Sequence, residues 1–487
     1  MPATRRIEVE RWLAVPGTHP AMRNVSLGLG DGAPESALEI GLEIGLEIAA
    51  GRGGGRGLLA MPAPVNAHDH GLGVRTMDFD CMDDALEPWI AGLRMRPPTE
   101  PYLEALVAFG RMLQSGCCAT MHLHNSLNAD RLGEEAAEVI RAARDSGIRI
   151  GLSCPLLDTS PWIYGEIDEL RGFVDAAEWQ SLAALLPRYR PIGEQIAAVL
   201  AIAREQQGAG VDVQLGPIGP QWASNALLEQ ISDASRSSGL RVHMHLLESP
   251  RQRIWLDRRF PQGVVAYLDA IGLLSPRLAV AHGVHLRAEE CALLAERGVT
   301  VVTNPSANLR LRSGVAPVEA LRRAGVAFAI GMDGTVIDDD QDIWREMRLA
   351  HLLHGGRGID PAAGVAEMFR AVTVNGAAVV NQATGGDVVV IDYGELTRDA
   401  LFDDLDEARV IMGRMTARHV RDLFVAGRQV VADGAIATFD FDAARAELNA
   451  QARAALPRLE AERGNARRIA DLVRRYYRSR QEQAAGA

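Results

Sequence analysis

Two histidines stand two residues apart where an apolar stretch of the chain ends, in the run Asn66-Ala67-His68-Asp69-His70. On a β-strand, residues i and i+2 point to the same face of the sheet. The side chains of His68 and His70 could therefore reach one metal ion together, while Asp69 points away. Such a pair also arises by chance among 12 histidines, so its meaning depends on the residues that follow.

Further polar residues come at the ends of three later apolar stretches. His245 ends one stretch, with Glu248 three residues beyond it; His282 ends the next, and Asp333 follows the last. In a barrel of parallel strands, the carboxyl ends of the strands form the rim where active sites are built. Histidines scattered through a core by chance would not fall at strand ends repeatedly. The pattern therefore predicts one site assembled from several strand ends.

The elements that must position these residues are short apolar strands alternating with longer helical segments. This alternation is typical of βα units around a parallel sheet. Eight strands in about 270 residues predict a (β/α)8 TIM barrel, with a doubly wound open sheet as the alternative. The predicted strands are Leu58 to Ala67, Cys118 to Leu123, Ile148 to Cys154, Val211 to Gly216, Leu240 to Leu246, Leu278 to His282, Val299 to Thr303 and Val326 to Met332.

The two ends of the chain do not follow this alternation. Strand-like runs near residues 7–15, 387–392 and 423–431 predict a small β-sandwich domain, built by both chain ends, beside the barrel. The last residues are rich in Ala, Arg and Glu, which predicts helices outside the barrel. The predicted divisions are 1–57 and 385–440 for the β-sandwich, 58–384 for the barrel and 441–487 for the C-terminal helices.

Composition narrows the class of function. The formal net charge of −12 disfavours nucleic acid as a partner, because its phosphates would be repelled. The sequence has no uninterrupted run of about 18 apolar residues, so no membrane span is predicted. No apolar segment follows the first arginines, so a secretory signal is not expected. Five cysteines without a C-x-x-C pair are typical of reduced thiols, so a cytoplasmic location is expected.

The sequence contains no lysine, so all 51 basic residues are arginine. Schiff-base chemistry and a phosphate-binding P-loop lysine are therefore excluded. A carboxylated lysine that bridges two metal ions is excluded as well. This absence favours one metal ion over two at the predicted site.

The order of the motifs resembles that of the amidohydrolase superfamily, in particular its cytosine-deaminase-like branch of aminohydrolases and chlorohydrolases. The resemblance rests on residues 66–70, 245–248, 281–286, 304–314, 331–334 and 425–434, and it covers most of the chain. It implies that one divalent metal ion is bound by His68, His70, His245 and Asp333. Zinc is the default for these ligands, although iron or manganese would also bind.

The resemblance also implies a catalytic role for Glu248, His282 and Asp333. A bound divalent cation can lower the pKa of water from 15.7 to about 7, which makes hydroxide available at neutral pH. Asp333 would accept the proton of that water and Glu248 would pass it to the substrate nitrogen. His282 would polarise the water or hold an oxyanion. His243, one step deeper on its strand, is interpreted as a packed group beside the site.

Two features bear on the substrate. Relatives often carry a Pro-His-Ala-Pro-like motif after the fourth strand, and Ile218 stands at the histidine position here. Ile218 and Trp222 favour planar or alkyl-bearing substrates over polar nucleoside-like ones. His122 and His124, which share a strand face, are either substrate contacts or a hydrogen-bonded pair beneath the rim. The predicted substrate-binding residues are His122, His124, Trp222 and Asn308.

The sequence therefore predicts a metal-dependent hydrolase that cleaves a C–N bond of a small cyclic or aromatic compound and releases ammonia or an amine. One alternative is hydrolysis of a linear urea, carbamate or amide bond, or of a C–Cl bond, by the same site. Another is a non-catalytic relative that uses the barrel for binding. The expected partner is a small molecule, and a homodimer is compatible with the resemblance.

Overall fold

The computed structural model describes residues 5–29, 46–50, 55–126, 128–334, 341–384 and 386–485. The strands are β1 (Arg5–Trp12), β2 (Met22–Leu29), β3 (Leu46–Ala50), β4 (Leu58–Pro62), β5 (Val65–Asp69), β6 (Ala119–Leu123), β7 (Arg149–Leu156), β8 (Val211–Pro217), β9 (Val242–Leu246), β10 (Leu278–His282), β11 (Thr300–Thr303), β12 (Phe328–Ile330), β13 (Val388–Asp392), β14 (Val420–Val425), β15 (Arg428–Ala432) and β16 (Ala435–Ile436). The helices are α1 (Leu86–Gly92), α2 (Pro101–Gln114), α3 (Leu132–Ser146), α4 (Ala176–Ala183), α5 (Ile192–Gln206), α6 (Asn225–Ser238), α7 (Pro250–Arg259), α8 (Val264–Ala270), α9 (Ala288–Glu296), α10 (Pro305–Arg310), α11 (Val318–Ala324), α12 (Ile343–His354), α13 (Val365–Val372), α14 (Val374–Val380), α15 (Tyr393–Leu396), α16 (Glu407–Arg414), α17 (Phe441–Ala454) and α18 (Leu456–Ala485).

Strands β5 to β12 form the barrel and are neighbours in chain order. All of their pairings are parallel. The two ends of this sheet meet where the backbone N–H of Asp333, beyond β12, donates to the carbonyl of His68 at 2.9 Å. Gly331 permits the approach, since a Cβ atom there would lie 2.8 Å from the backbone nitrogen of His68. The predicted (β/α)8 barrel is confirmed, and the doubly wound open sheet is wrong.

The barrel strands are buried along their length. Every residue of β6, β9 and β10 is buried, because helices cover the outside of such a barrel and side chains fill its interior. Strand β10 is a continuous apolar run up to His282, whereas β6 and β9 alternate apolar residues with threonine or histidine although every residue is buried. A histidine within such a run is therefore enclosed by apolar neighbours unless it reaches the rim.

The second sheet joins the two ends of the chain. Its strand order is β16-β15-β14-β13-β4-β1-β2-β3, and β13 pairs antiparallel with β4, with Val388 opposite Pro62. The predicted single strand from Leu58 to Ala67 is wrong, because β4 lies in this sheet and β5 begins the barrel. Pro62 and Pro64 account for the break, since proline has no N–H for a sheet ladder. The domain built by both chain ends is confirmed, while the four domain limits stay a prediction.

The C-terminal helices pack on the outside of the barrel. Helix α17 contacts α2, and α18 contacts both α1 and a short 3-10 helix at residues 167–173. The α18 residues Ile469, Leu472 and Val473 share one buried apolar cluster with Trp162 and Leu170. Helix α18 therefore covers segments that follow β5 and β7 at the rim. Among the helices described, none is both long and apolar enough to cross a membrane.

Candidate active site

The polar side chains predicted from strand ends meet at the carboxyl end of the barrel. His68 lies on β5 with His70 directly after it, and His245 lies on β9 with Glu248 just beyond. His282 is the last residue of β10, and Asp333 follows β12. Except for His70, which is partly buried, these side chains are buried. Four separate strands thus supply one cluster, as the sequence predicts.

The four predicted metal ligands lie close together. The Nε2 atoms of His68 and His70 are 3.2 and 3.3 Å from Oδ1 of Asp333. Ligand atoms of His68, His70 and His245 lie within 4.8 Å of one another, and so do those of His68, His282 and Asp333. The rings of His70 and His245 stack with their centres 5.5 Å apart. The cluster is compact enough for its nitrogen and oxygen atoms to share one ion.

The chemistry of these donors fits a divalent metal ion. Nδ1 of His68 lies 2.9 Å from Nε2 of His243, and Nδ1 of His245 lies 2.7 Å from the carbonyl oxygen of Ile218. In both rings the partner at Nδ1 leaves Nε2 facing the cluster, which is how metal-binding histidines are commonly oriented. Burial lowers the pKa of His68 and of His245 well below the usual value, so both favour the neutral form that binds metal.

Asp333 is held as a carboxylate by its neighbours. Burial alone would raise the pKa of Asp333, but hydrogen bonds to His68 and His70 hold that pKa well below the usual range. Its backbone adopts a left-handed conformation with φ of 60°, and His282 does the same with φ of 70°. Non-glycine residues in this region are strained, and such strain persists where the surroundings fix the conformation. Both residues lie where a strand turns sharply into the rim.

Asn66 and Asp69 support this cluster, although no pattern in the sequence predicts a role for either residue. The side-chain oxygen of Asn66 accepts from the backbone N–H of Met332 at 2.9 Å, and its amide donates to Asp69 at 2.7 Å. Asp69 also accepts from the N–H of Gly71 at 2.7 Å. These bonds join the end of β5 to the segment that carries Asp333. In the sequence, a role for Asn66 and Asp69 is indicated only by their position beside His68 and His70.

Glu248 and His282 lie beside the ligand cluster. Oε1 of Glu248 is 3.8 Å from Nδ1 of His282, whose Nε2 is 4.0 Å from Oδ2 of Asp333. Burial, followed by the charges of Asp333 and Glu87, raises the pKa of Glu248 well above its usual value. Burial lowers the pKa of His282. A carboxyl that favours its protonated form therefore neighbours an imidazole that favours its neutral form.

A cavity of about 430 Å³ opens above this cluster. We call its polar end the floor, formed by His70, His245, Glu248, His282 and Asp333. We call one apolar part of its lining the wall, formed by Leu86, Trp89, Ile90, Leu157, Ile218 and Trp222. Cavities of this size hold drug-sized ligands in other proteins. The floor and the wall together offer reactive groups facing a mostly apolar chamber.

The four predicted substrate contacts separate into two groups. Trp222 and His124 line the cavity, and Nε2 of His124 lies 2.8 Å from a carboxylate oxygen of Glu135. His122 is absent from the described lining: it packs behind Gly71, where a Cβ atom would lie 2.2 Å from its Nδ1. Asn308 is absent from that lining too, and its Oδ1 lies 2.9 Å from Nδ1 of His282. The geometry supports substrate contact for Trp222 and His124 only.

Part of the wall is not predicted from the sequence. Leu86, Trp89 and Ile90 come from α1, a short helix in the connection between β5 and β6. Nothing in their spacing distinguishes an apolar helix over a cavity from one packed on the barrel. His243, interpreted as a packed group beside the site, is buried behind His68 as expected.

A barrel whose rim gathers three imidazoles and a carboxylate defines the class of metal-dependent hydrolases. The chain belongs to the amidohydrolase family, whose model matches residues 59–430. The 5′-deoxyadenosine deaminase of Methanothermobacter thermautotrophicus is 30% identical over 350 residues, which are 70% of this chain and 72% of that protein. The 5-methylthioadenosine/S-adenosylhomocysteine deaminase of Thermococcus onnurineus is 29% identical over 356 residues, covering 70% and 75%.

Solved structures share the fold. An adenosine deaminase from Xanthomonas campestris with bound zinc superposes with a TM-score of 0.75 at 21% identity, covering 94% of this chain and 99% of that one. Atrazine chlorohydrolase from Arthrobacter aurescens complexed with zinc gives a TM-score of 0.74 at 20% identity, covering 92% and 99%. The predicted family is confirmed, and the metal in these neighbours agrees with the donor set described above.

Proposed function

We propose that this protein is a metal-dependent aminohydrolase that removes an amino group from a small cyclic or aromatic compound and releases ammonia or an amine. The observation that carries the proposal is the placement of Glu248 and His282 beside the four ligand residues on the floor of one cavity. The deaminase relatives support the same reaction. All five cysteines are free and buried, which supports the expected cytoplasmic location.

The ion would be held by His68, His70, His245 and Asp333. A divalent metal bound there would lower the pKa of water and so supply hydroxide at neutral pH. We propose a single ion, because the chain has no lysine to carboxylate as a bridging ligand. Zinc is the first candidate, supported by its presence in the structural neighbours, with iron and manganese as alternatives.

Two side chains would handle the protons. Asp333 accepts a proton from the attacking water, and Glu248 delivers a proton to the nitrogen that leaves. Because the pKa of Glu248 is raised, its carboxyl favours the protonated form that can donate. The departing nitrogen therefore leaves as neutral ammonia or amine rather than as an anion.

His282 would orient the water rather than hold an oxyanion. Its Nδ1 lies 2.9 Å from Oδ1 of Asn308, an atom that only accepts hydrogen bonds, so Nδ1 carries the proton. Since burial lowers the pKa of His282, its ring favours the neutral form, and Nε2 is then unprotonated. An unprotonated nitrogen accepts a hydrogen bond from water, whereas an oxyanion would need a donor there.

The wall favours a planar or alkyl-bearing substrate. Ile218 and Trp222 face the same cavity as the floor, and neither isoleucine nor the indole face offers a hydrogen bond to the ring nitrogens of a nucleobase. A planar ring would stack on Trp222, and alkyl groups would contact Leu86 and Ile90. Alkylated heterocyclic amines therefore come before polar nucleosides as candidate substrates.

A substrate panel tests the proposal. Purified protein with its metal content measured is incubated with aminated purines, pteridines, pyrimidines and alkylated triazines, and with linear ureas, carbamates and amides. Ammonia, amine and chloride release are followed separately. Release of ammonia or amine from a ring compound is expected. Chloride release, or cleavage of only the linear compounds, would favour the alternative reactions. No release by metal-loaded protein would favour a binding relative.

Whether the chain forms a homodimer stays a prediction, measurable by light scattering on the same sample.

A further inference from the structure

Glu87 is a buried carboxylate that the proposed reaction does not use. It lies on α1, two residues before Trp89 of the wall, and is 1% exposed. One of its oxygens accepts from the Ser249 hydroxyl at 2.5 Å and from the Tyr164 hydroxyl at 3.0 Å. The other accepts from Nε of Arg251 at 2.5 Å. A charge is kept in such a place only with partners of this kind, so its position is closely fixed.

The partners of Glu87 converge on the turn that carries Glu248. Ser249 directly follows Glu248 and caps α7, where its hydroxyl accepts from the backbone N–H of Gln252 at 3.2 Å. The side-chain oxygen of Gln252 accepts from the backbone N–H of Glu248 at 2.8 Å. The side-chain amide of Gln252 donates to the Tyr164 hydroxyl at 3.3 Å. Glu87 thus contacts Ser249 and Arg251 just beyond Glu248, and it reaches the backbone N–H of Glu248 through Tyr164 and Gln252.

The other end of this linkage is the wall of the cavity. Glu87 and Ser249 are 162 residues apart in the sequence, and their hydrogen bond joins α1 directly to the start of α7. Helix α18 supports the linkage from outside, because the Tyr477 hydroxyl accepts from the backbone N–H of Tyr164 at 2.9 Å. A shift of α1 on the cavity would therefore be transmitted to the turn before α7.

We propose that Glu87 is a positioning residue that couples the wall of the substrate cavity to Glu248, so that the apolar surface facing the substrate and the proton-transferring carboxyl keep a fixed relation. The inference rests on the proposed role of Glu248 in catalysis. The physical reason is that proton transfer requires the donor within about 0.5 Å of its productive position, which a carboxyl on a free turn does not maintain. The same contacts also hold the wall, which determines the shape of substrate that the cavity accepts.

Glu87→Gln tests the coupling with little change in volume. The amide removes the negative charge that pairs with Arg251 and places an N–H donor where a carboxylate oxygen accepted from Ser249 and Tyr164, so the charge-assisted bonds are lost while the packing of α1 is kept. We expect kcat to fall by about 10²-fold, with KM within about threefold of wild type, on the panel compound that gives the highest rate. We also expect faster hydrogen–deuterium exchange at residues 86–92 and at the amides of Glu248 and Ser249, without loss of bound metal.

Glu290→Gln is the matched control. Glu290 is likewise buried and holds α7 from its other side, where it contacts Nη1 of Arg253 at 2.8 Å. Its loss should destabilise the protein to a similar extent and speed exchange near Arg253, while kcat stays within about threefold of wild type. Should Glu87→Gln fail to fold, Tyr164→Phe removes the hydroxyl that joins Glu87 to Gln252 and keeps the ring, with the same expected split between kcat and KM.

Three results would overturn the inference. Unchanged exchange at residues 248–249 in Glu87→Gln would show that no linkage exists. Faster exchange with a kcat no lower than that of Glu290→Gln would show that the linkage does not position the catalytic group. A rise in KM with unchanged kcat would make Glu87 a support of the wall alone. Failure of the wild-type protein to release ammonia from any panel compound would instead reject the proposed function, and the exchange experiment would still decide whether Glu87 joins α1 to the turn.

Discussion

The floor and the wall of the cavity are built in different ways. Floor residues lie at or just beyond strand ends of the barrel, and partners behind them fix their orientation, as the carbonyl oxygen of Ile218 does for His245. Wall residues include those of α1, which lies over the barrel and is covered in turn by α18. The floor depends on a repeated local unit, whereas the part of the wall that α1 supplies depends on contacts between distant parts of the chain.

This difference separates chemistry from selectivity. Strand ends hold the groups that we propose to bind metal and move protons, and the regular barrel sets their spacing. The wall contacts the substrate, and its apolar side chains can change without disturbing the strands beneath or the contacts of Glu87. Substitutions on the floor should therefore abolish turnover, whereas substitutions in the wall should alter substrate affinity. Each prediction that follows tests this division, beginning with the largest expected effect.

Removing a ligand from the floor should eliminate metal and activity together. His245→Ala deletes an imidazole whose ring lies 4.9 Å from that of His68 and 5.5 Å from that of His70. We expect metal content near zero by elemental analysis and a loss of turnover of about 10⁴-fold. His351→Ala, which removes a histidine from α12, should keep both. Full metal content in His245→Ala would remove this residue from the ligand set.

Removing the proton donor should abolish turnover and leave the metal in place. Glu248→Gln keeps the size of the side chain but offers no transferable carboxyl proton, so we expect kcat to fall by about 10³-fold. Metal content should equal that of wild type, because Glu248 is not among the ligand groups that the structure brings together. Turnover within about tenfold of wild type would assign the proton transfer to another group.

The sequence predicts the floor well because its information is local. His68 and His70 share a strand face, so the period of the strand alone brings both side chains toward the same cluster. The wall is different, since Leu86 and Trp89 follow no period that distinguishes a cavity from a core. The contact between Glu87 and Ser249 depends on the packing of α1 against the start of α7, which neither segment encodes alone. The split of residues 58–67 into two strands was readable in principle from Pro62 and Pro64.

Substitution of Asn308 tests whether a residue predicted to contact substrate instead supports His282 of the floor. Asn308→Ala removes the acceptor that lies 2.9 Å from Nδ1 of His282 and frees that ring to change tautomer. We expect kcat to fall by about 10- to 100-fold with little change in KM. Asn308→Asp, which keeps an acceptor, should recover part of the loss. A rise in KM with normal kcat would restore the sequence-based prediction of a substrate contact.

His122 and His124 give the finest test, because the sequence treats them alike and the structure does not. His124 lines the cavity, so His124→Ala should raise KM by about three- to tenfold with kcat nearly unchanged. His122 lies behind Gly71, with Phe109 5.7 Å from its ring, so His122→Gln should lower thermal stability but leave KM within about twofold. Equal rises in KM for both variants would mean that His122 contacts substrate as His124 does. The division between residues that contact substrate and residues that support the site would then fail at β6. A rise in KM for His124 alone would place the edge of the cavity between two histidines of one strand end, because His124 lines the cavity and His122, two residues earlier, packs behind Gly71.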